Sequence, residues 1–348
     1  MLSHTVTSRL ICNVLQKSIN YVPWRNVQVS VIGAAGEVGS CLSVLLKQNY
    51  KIKRLKLYDD DDKVKGIGME LDHIPGGPKV SAFSGNNMLP MSIDSADLVV
   101  MVQRVPRKPG NSRDQMIAAN APALQRLCRA IADQNPETVL AISTNPLNSM
   151  VPFASALLYK YGCYNPFKVL GVTQIDSARS RTYAANVLNV SPRSLRLPVI
   201  GGHSEESIIP LYSNMTPIEF CVDPCQADSL TRLVRKAGTE VVFQKQGYES
   251  ATLAFAYSIN EFVDSIIDAL RGGEVVVNCY TANPHFGTRF FSGPTVVGPY
   301  GIIQACHEFT YSDYESFLLS SSVPVINRDV SLGEDYVRFI EIAGKAAR

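Results

Sequence analysis

The sequence predicts an α/β fold, a doubly wound parallel sheet followed by a second lobe of α+β texture. Three observations predict it. A β-rich run, Val27 to Ile32, passes at once through Gly33-Ala34-Ala35-Gly36-Glu37-Val38-Gly39 into an apolar helical pattern. Short apolar runs then alternate with helical stretches, as in a sheet with helices on both faces. Beyond residue 171 that alternation stops, and strands and helices follow one another irregularly.

The helix after the glycine turn runs from Val38 through Leu45 and Leu46. Leu55-Lys56-Leu57-Tyr58 is the next strand, ending at Asp59, and Asp60 to Asp62 read as solvated loop charges. Leu98 to Val102 is apolar throughout, the pattern of a strand buried on both faces. A helix follows from about Asp114 to Asp133, then a strand at Val139 to Ser143. In the second half, Leu195 to Ile200 and Val275 to Cys279 read as strands, and Phe290, Phe291, Val296 and Val297 belong to others. Helices are expected at Gln226–Gln244 and Ser250–Leu270. A length of 348 residues suits two lobes, 26–171 and 172–348.

Composition excludes several classes of function. The 33 basic and 31 acidic residues leave a net charge of +2, unlike a nucleic-acid binder with a dominant basic surface. No apolar run approaches the roughly 20 residues that cross a bilayer. The eight cysteines are scattered, and Cys221 with Cys225 lacks a second metal-spaced pair, so no metal site is expected. Residues 1–25 carry Arg9, Lys17 and Arg25 with Leu10, Val14 and Leu15 at helical spacing, and no acidic residue precedes Glu37. Such a leader resembles a mitochondrial targeting peptide and implies the matrix.

The glycine turn carries the first chemistry. Gly33 permits the tight turn, Gly36 lets backbone approach a pyrophosphate, and Gly39 allows close helix–strand packing. The helix N-terminus then offers free N–H groups to phosphates, with Ala34, Ala35, Glu37 and Val38 completing the loop. Asp59 ends the second strand 20 residues after Gly39. A carboxylate there accepts from the adenosine ribose diol and repels a 2′-phosphate, which favours NAD over NADP.

Several segments occur together: Gly33–Gly39, Leu57-Tyr58-Asp59, Val105-Pro106-Arg107-Lys108-Pro109-Gly110, Arg113-Asp114 and Thr144-Asn145-Pro146-Leu147-Asn148-Ser149. Gly171-Val172-Thr173, Ile175-Asp176, Arg179 and Pro198-Val199-Ile200-Gly201-Gly202-His203 follow in order. From Val27 onward the chain resembles the lactate/malate dehydrogenase family in its malate branch, least so after about Gly273. The resemblance implies a Rossmann-type NAD domain, a homodimer or dimer of dimers, and reversible oxidation of malate to oxaloacetate. It implies His203 as general acid/base, oriented by Asp176. Arg179 matches the clamp on the carboxylate beside the reacting carbon, Arg107 the reader of the distal carboxylate, and Arg113 a supporting loop arginine. Asn145 matches a substrate-contacting amide and, with Asn120, Ser143, Thr144 and Phe255, falls at a cofactor-side position.

Four positions depart from the family pattern. Gln103 and Arg104 replace small residues where backbone passes the dinucleotide, and Phe255 replaces a methionine expected near the nicotinamide. Gly247-Tyr248-Glu249 stands where small loop residues are usual, and Glu205-Glu206 adds negative charge after His203. Two alternatives therefore stay open: a catalytically weakened paralogue with a structural or interaction role, and a dehydrogenase of another 2-hydroxy acid.

Overall fold

The computed structural model describes residues 26–105, 113–247 and 251–346. Strand β1 (Val27–Ile32) turns into helix α1 (Glu37–Lys47), followed by β2 (Ile52–Asp59), α2 (Lys63–Asp72) and the edge strand β3 (Lys79–Ser84). A short α3 (Leu89–Ile93) leads to β4 (Leu98–Met101), α4 (Arg113–Gln134), β5 (Val139–Ile142), α5 (Leu147–Lys160) and β6 (Val169–Val172). These six strands lie in the order β3-β2-β1-β4-β5-β6, all parallel.

The central strands are apolar throughout because each feeds two cores. Alternate residues face opposite ways along a strand. Val27, Val29, Val31, Leu98 and Val100 face one core, and Ile32, Val99, Met101 and Ile142 the other. The first core is closed by α1 and α8 (Thr252–Leu270), whose Phe255, Ile259, Phe262, Ile266 and Leu270 recur at helical spacing. The second is closed by α4, α5 and α9 (Asp313–Ala346).

The second half does not stand apart from this sheet. After α6 (Gln174–Leu188), β7 (Val199–Gly201), β8 (Ile208–Pro210) and α7 (Pro224–Gln244), the chain returns through α8 to β9 (Val275–Ala282). Strand β9 pairs antiparallel with β6, joining both halves in one 11-stranded sheet with β10 (Phe290–Gly298), β7, β8 and β11 (Gly301–Ala305). The strand expected from Leu195 is shorter than its apolar run. Pro198 supplies no N–H, Leu195 and Leu197 fill a small separate core, and only Val199–Gly201 joins the sheet. No helix among the described residues is long and apolar enough to cross a membrane.

Candidate active site

The C-terminal ends of β1, β2, β4 and β5 form one rim of the site. Gly33 and Ala34 donate backbone hydrogen bonds to the Tyr58 carbonyl, at 2.8 and 3.0 Å. The Ala35 N–H donates to Asp59 Oδ2 at 2.9 Å, so the glycine turn itself fixes the carboxylate that ends β2. Gly39 has a steric reason to be glycine: a Cβ there would lie 2.0 Å from the Gly33 carbonyl oxygen. No side chain caps α1, and the exposed Gly36 stands at its N-cap. The uncapped N–H groups and the helix dipole suit a phosphate, and Asp59 suits a ribose diol. These residues fit a dinucleotide.

Val38 is buried in the first core, while Glu37 opens α1 and its Oε2 accepts from Thr252 Oγ1 at 3.1 Å. Arg104 is half-buried on the same side. Burial depresses its guanidinium, and the Glu37 charge acts in the opposite direction. Neighbouring Gln103 lies over the turn, where a Cβ on Gly33 would meet its Cα at 2.4 Å. Its amide donates to Asp60 Oδ2 at 3.2 Å, so the side chain reaches from the end of β4 to the end of β2.

Ser143 and Thr144 stitch this rim together. Ser143 Oγ donates to the Met101 carbonyl at 3.0 Å, and Thr144 Oγ1 donates to the Gln103 carbonyl at 2.7 Å. Asn120 is 4 % exposed, and its amide is committed to backbone. It accepts from the Val105 N–H at 2.7 Å and donates to the Met116 and Asn145 carbonyls at 2.9 and 3.2 Å. Asn120 thus ties Val105 to Asn145, which stands half-buried before a cis Pro146. Phe255, 7 % exposed, is a core residue sharing its cluster with Ala34, Ala35 and Val38.

A histidine–carboxylate pair joins the start of α6 to the segment after β7. Asp176 lies in the first turn of α6, 1 % exposed, and its Oδ2 is 2.7 Å from His203 Nδ1. A carboxylate can only accept, so Nδ1 carries the proton, and the neutral ring leaves its lone pair on Nε2. The backbone of His203 is held as tightly as its ring. Its N–H donates to Asn148 Oδ1 at 2.8 Å, and Asn148 Nδ2 donates to the buried Asp329 Oδ2 at 3.0 Å. Gly202 leaves room for that amide: a Cβ would sit 2.8 Å from both Asn148 terminal atoms. Arg179, three residues after Asp176 on the same helical face, points its half-buried guanidinium toward Gly238 of α7.

The acidic pair after His203 turns elsewhere. Glu205 accepts from Thr239, and Glu206 lies 3.6 Å from the Arg328 guanidinium. Arg107, Tyr248 and Glu249 lie outside the described residues, as does the side chain of Arg113, whose backbone opens α4. Asn148 and Asp329 had no role in the sequence reading. Asn148 lies within a quoted motif, but its partner is 181 residues away. Among the described residues no group of three or more His, Cys, Asp and Glu side chains could hold a metal.

Proteins of one family resemble this chain over most of its length. Residues 27–171 match the lactate/malate dehydrogenase NAD binding domain, and residues 173–337 match the family's alpha/beta C-terminal domain. The mitochondrial malate dehydrogenase of Pongo abelii is 37% identical over 330 residues, covering 94% of this chain and 97% of that protein. The mitochondrial malate dehydrogenase of Homo sapiens is 36% identical over 329 residues, covering 94% and 96%. The apo malate dehydrogenase structure from Picrophilus torridus superposes with a TM-score of 0.78 at 25% identity, covering 90% of this chain and 99% of that one. The chain belongs to the lactate/malate dehydrogenase family, and it is an oxidoreductase whose cofactor is NAD.

Proposed function

We propose that the chain interconverts malate and oxaloacetate. The observation that carries this reading is the 2.7 Å contact between His203 and the buried Asp176. Oxidation of a 2-hydroxy acid removes the hydroxyl proton as hydride leaves the same carbon, and NAD, when bound, accepts that hydride. His203 takes the proton at Nε2 while Asp176 offsets the positive charge that develops on the ring. In reduction the same nitrogen returns the proton. Arg179 binds the carboxylate beside the reacting carbon through parallel hydrogen bonds. Arg107, assisted by Arg113, binds the second carboxylate, which is the basis for preferring a dicarboxylate, and Asn145 supplies an amide to the substrate.

The test uses the chain from residue 26 onward with NADH, supplied with oxaloacetate or with a monocarboxylic 2-oxo acid. Oxaloacetate turnover that vanishes in His203→Asn is expected. Faster turnover of the monocarboxylate would move the assignment to another 2-hydroxy acid. Absence of both turnover and NADH binding in folded protein would favour the weakened paralogue. The acid-free leader and the mitochondrial names of the relatives support the matrix as the compartment, and the family resemblance supports a homodimer. Organelle import and sedimentation are the respective checks.

A further inference from the structure

At the adenosine end of the site, three donors from three parts of the chain converge on Asp60. The Tyr58 hydroxyl donates to Oδ1 at 2.9 Å. Gln103 Nε2 and Arg126 Nη2 both donate to Oδ2, at 3.2 and 2.5 Å. Gln103 comes from the segment after β4 and Arg126 from the middle of α4, so Asp60 gathers groups that otherwise have no reason to meet. Burial raises the Asp60 carboxyl, but the Tyr58 and Gln103 hydrogen bonds and the Arg126 charge outweigh it and hold it below its ordinary range. The carboxylate is therefore ionised at neutral pH.

The Arg126 guanidinium is held at one corner. Its Nε is buried and has no hydrogen-bond partner among the described residues, while the side chain keeps 38% exposure at the rim. A guanidinium has five N–H donors, so the part of this group exposed at the rim, rather than its buried Nε, retains capacity for an anion. Its position gives that capacity meaning. Asp59, next to Asp60, is the carboxylate suited to the ribose diol, and an arginine beside that diol is what accommodates a 2′-phosphate. Here Asp60 neutralises that arginine. With Asp59 and Asp60 against Arg126, the formal charge of the rim is negative.

We propose that Asp60, braced by Gln103, is a second determinant of coenzyme choice, holding Arg126 so that it cannot receive the 2′-phosphate of NADP. Gln103, one of the residues that departs from the family pattern, thereby acquires a role: its side chain keeps the Asp60 carboxylate turned toward Arg126.

The test is binding rather than turnover, by fluorescence titration of the full chain with NADH and with NADPH. Asp60→Ser is expected to tighten NADPH binding by about tenfold, the scale of a released charge-assisted contact at a partly exposed site, while NADH changes by less than about threefold. Adding Arg126→Ala to that variant is expected to remove the gain. Raising the salt concentration is expected to erode it, because the contact is ionic. Asp60→Asn keeps the side-chain shape and drops the charge, so it reads the same effect if the serine variant folds poorly. Unchanged NADPH affinity in folded Asp60→Ser or Asp60→Asn, or a gain that survives Arg126→Ala, would overturn the proposal.

Discussion

Replacing Asp176 by Asn removes the charge behind the imidazole proposed as general acid/base. The amide has the size of the carboxylate, and its oxygen still accepts from His203 Nδ1 across the 2.7 Å contact. With the amide oxygen toward the ring, orientation and tautomer are kept and the negative charge is lost; an amide turned to donate to Nδ1 would favour the other tautomer and deepen the loss. A hydrogen bond to a charged group contributes about 1.5–3 kcal/mol, and opposite unit charges about 4 Å apart contribute about 4 kcal/mol at an effective dielectric near 20. Asp176 is 1 % exposed, so solvent screens little of this. About 3–4 kcal/mol of stabilisation of the developing imidazolium corresponds to a fall in kcat of about 200- to 1000-fold. Steady-state kinetics with NADH and oxaloacetate reads kcat and KM, and titration reads NADH binding. The expected pattern is a loss confined to kcat, with NADH affinity unchanged. A fall of less than about tenfold, or an effect on KM alone, would refute the electrostatic role of Asp176.

Three further outcomes follow from other contacts. Gly39→Ala places a methyl group 2.0 Å from the Gly33 carbonyl, so the phosphate loop must shift; NADH affinity is expected to fall by at least about tenfold in titrations, with a lowered melting temperature. Asn148→Ala removes a hydrogen-bond donor from the buried Asp329 and the acceptor from the His203 N–H, so denaturant unfolding is expected to register a loss of about 2 kcal/mol and kcat to fall about tenfold. Lys51 joins the turn before β2 to α8 through Asp264 and Asp268, at 2.9 and 2.8 Å. Burial lowers its ammonium, but the hydrogen bonds it donates to both aspartates prevail and leave it above the ordinary 10.5. That stabilisation is fully present below the ordinary value and is lost as pH rises through the folded value. Lys51→Met is therefore expected to cost about 1 kcal/mol near neutrality, with a difference in thermal unfolding that shrinks in strongly alkaline buffer.

The parts of the fold that were legible in the sequence are those where apolar patterning has a single cause. Strands β1, β4 and β5 feed two cores, and α8 presents one apolar face, so each left a clean signal. Strand β3 lies at the sheet edge and buries only Val80 well, which is too little to mark it. Helix α6 left no apolar stripe because its buried positions include Asp176 and Ser180, whose polar side chains break the periodicity. Helix α9 has Ser320, Ser321, Ser322 and Pro324 in its interior, which interrupt its apolar pattern; its start is held by the Glu315 carboxylate, which accepts from the Ser312 N–H. Within the candidate site, motif context pointed to His203 and Asp176, which the structure brings to 2.7 Å, and to Arg179, whose guanidinium lies toward Gly238. Asn148 with Asp329, and Gln103 with Asp60 and Arg126, were not legible, because each contact joins segments that only the sheet order brings together.

The departures from the family pattern carry a different weight once their surroundings are known. Relaxed selection on a binding site leaves polar groups buried without partners, each costing about 1–3 kcal/mol. Gln103, Arg104, Glu205 and Glu206 instead meet other polar or charged residues, although the Arg126 Nε beside Gln103 and Asp60 is buried without a partner among the described residues. Gln103 bonds Asp60, which also holds Arg126 and Tyr58; Arg104 feels the charge of Glu37, which accepts from Thr252. Glu205 and Glu206 are taken up by Thr239 and Arg328. Paired changes of this kind are what a working cofactor groove acquires when it is retuned. They argue for an enzyme with a modified coenzyme rim over a scaffold that has lost its chemistry, and the NADH and NADPH titrations of the Asp60 and Arg126 variants separate these two histories.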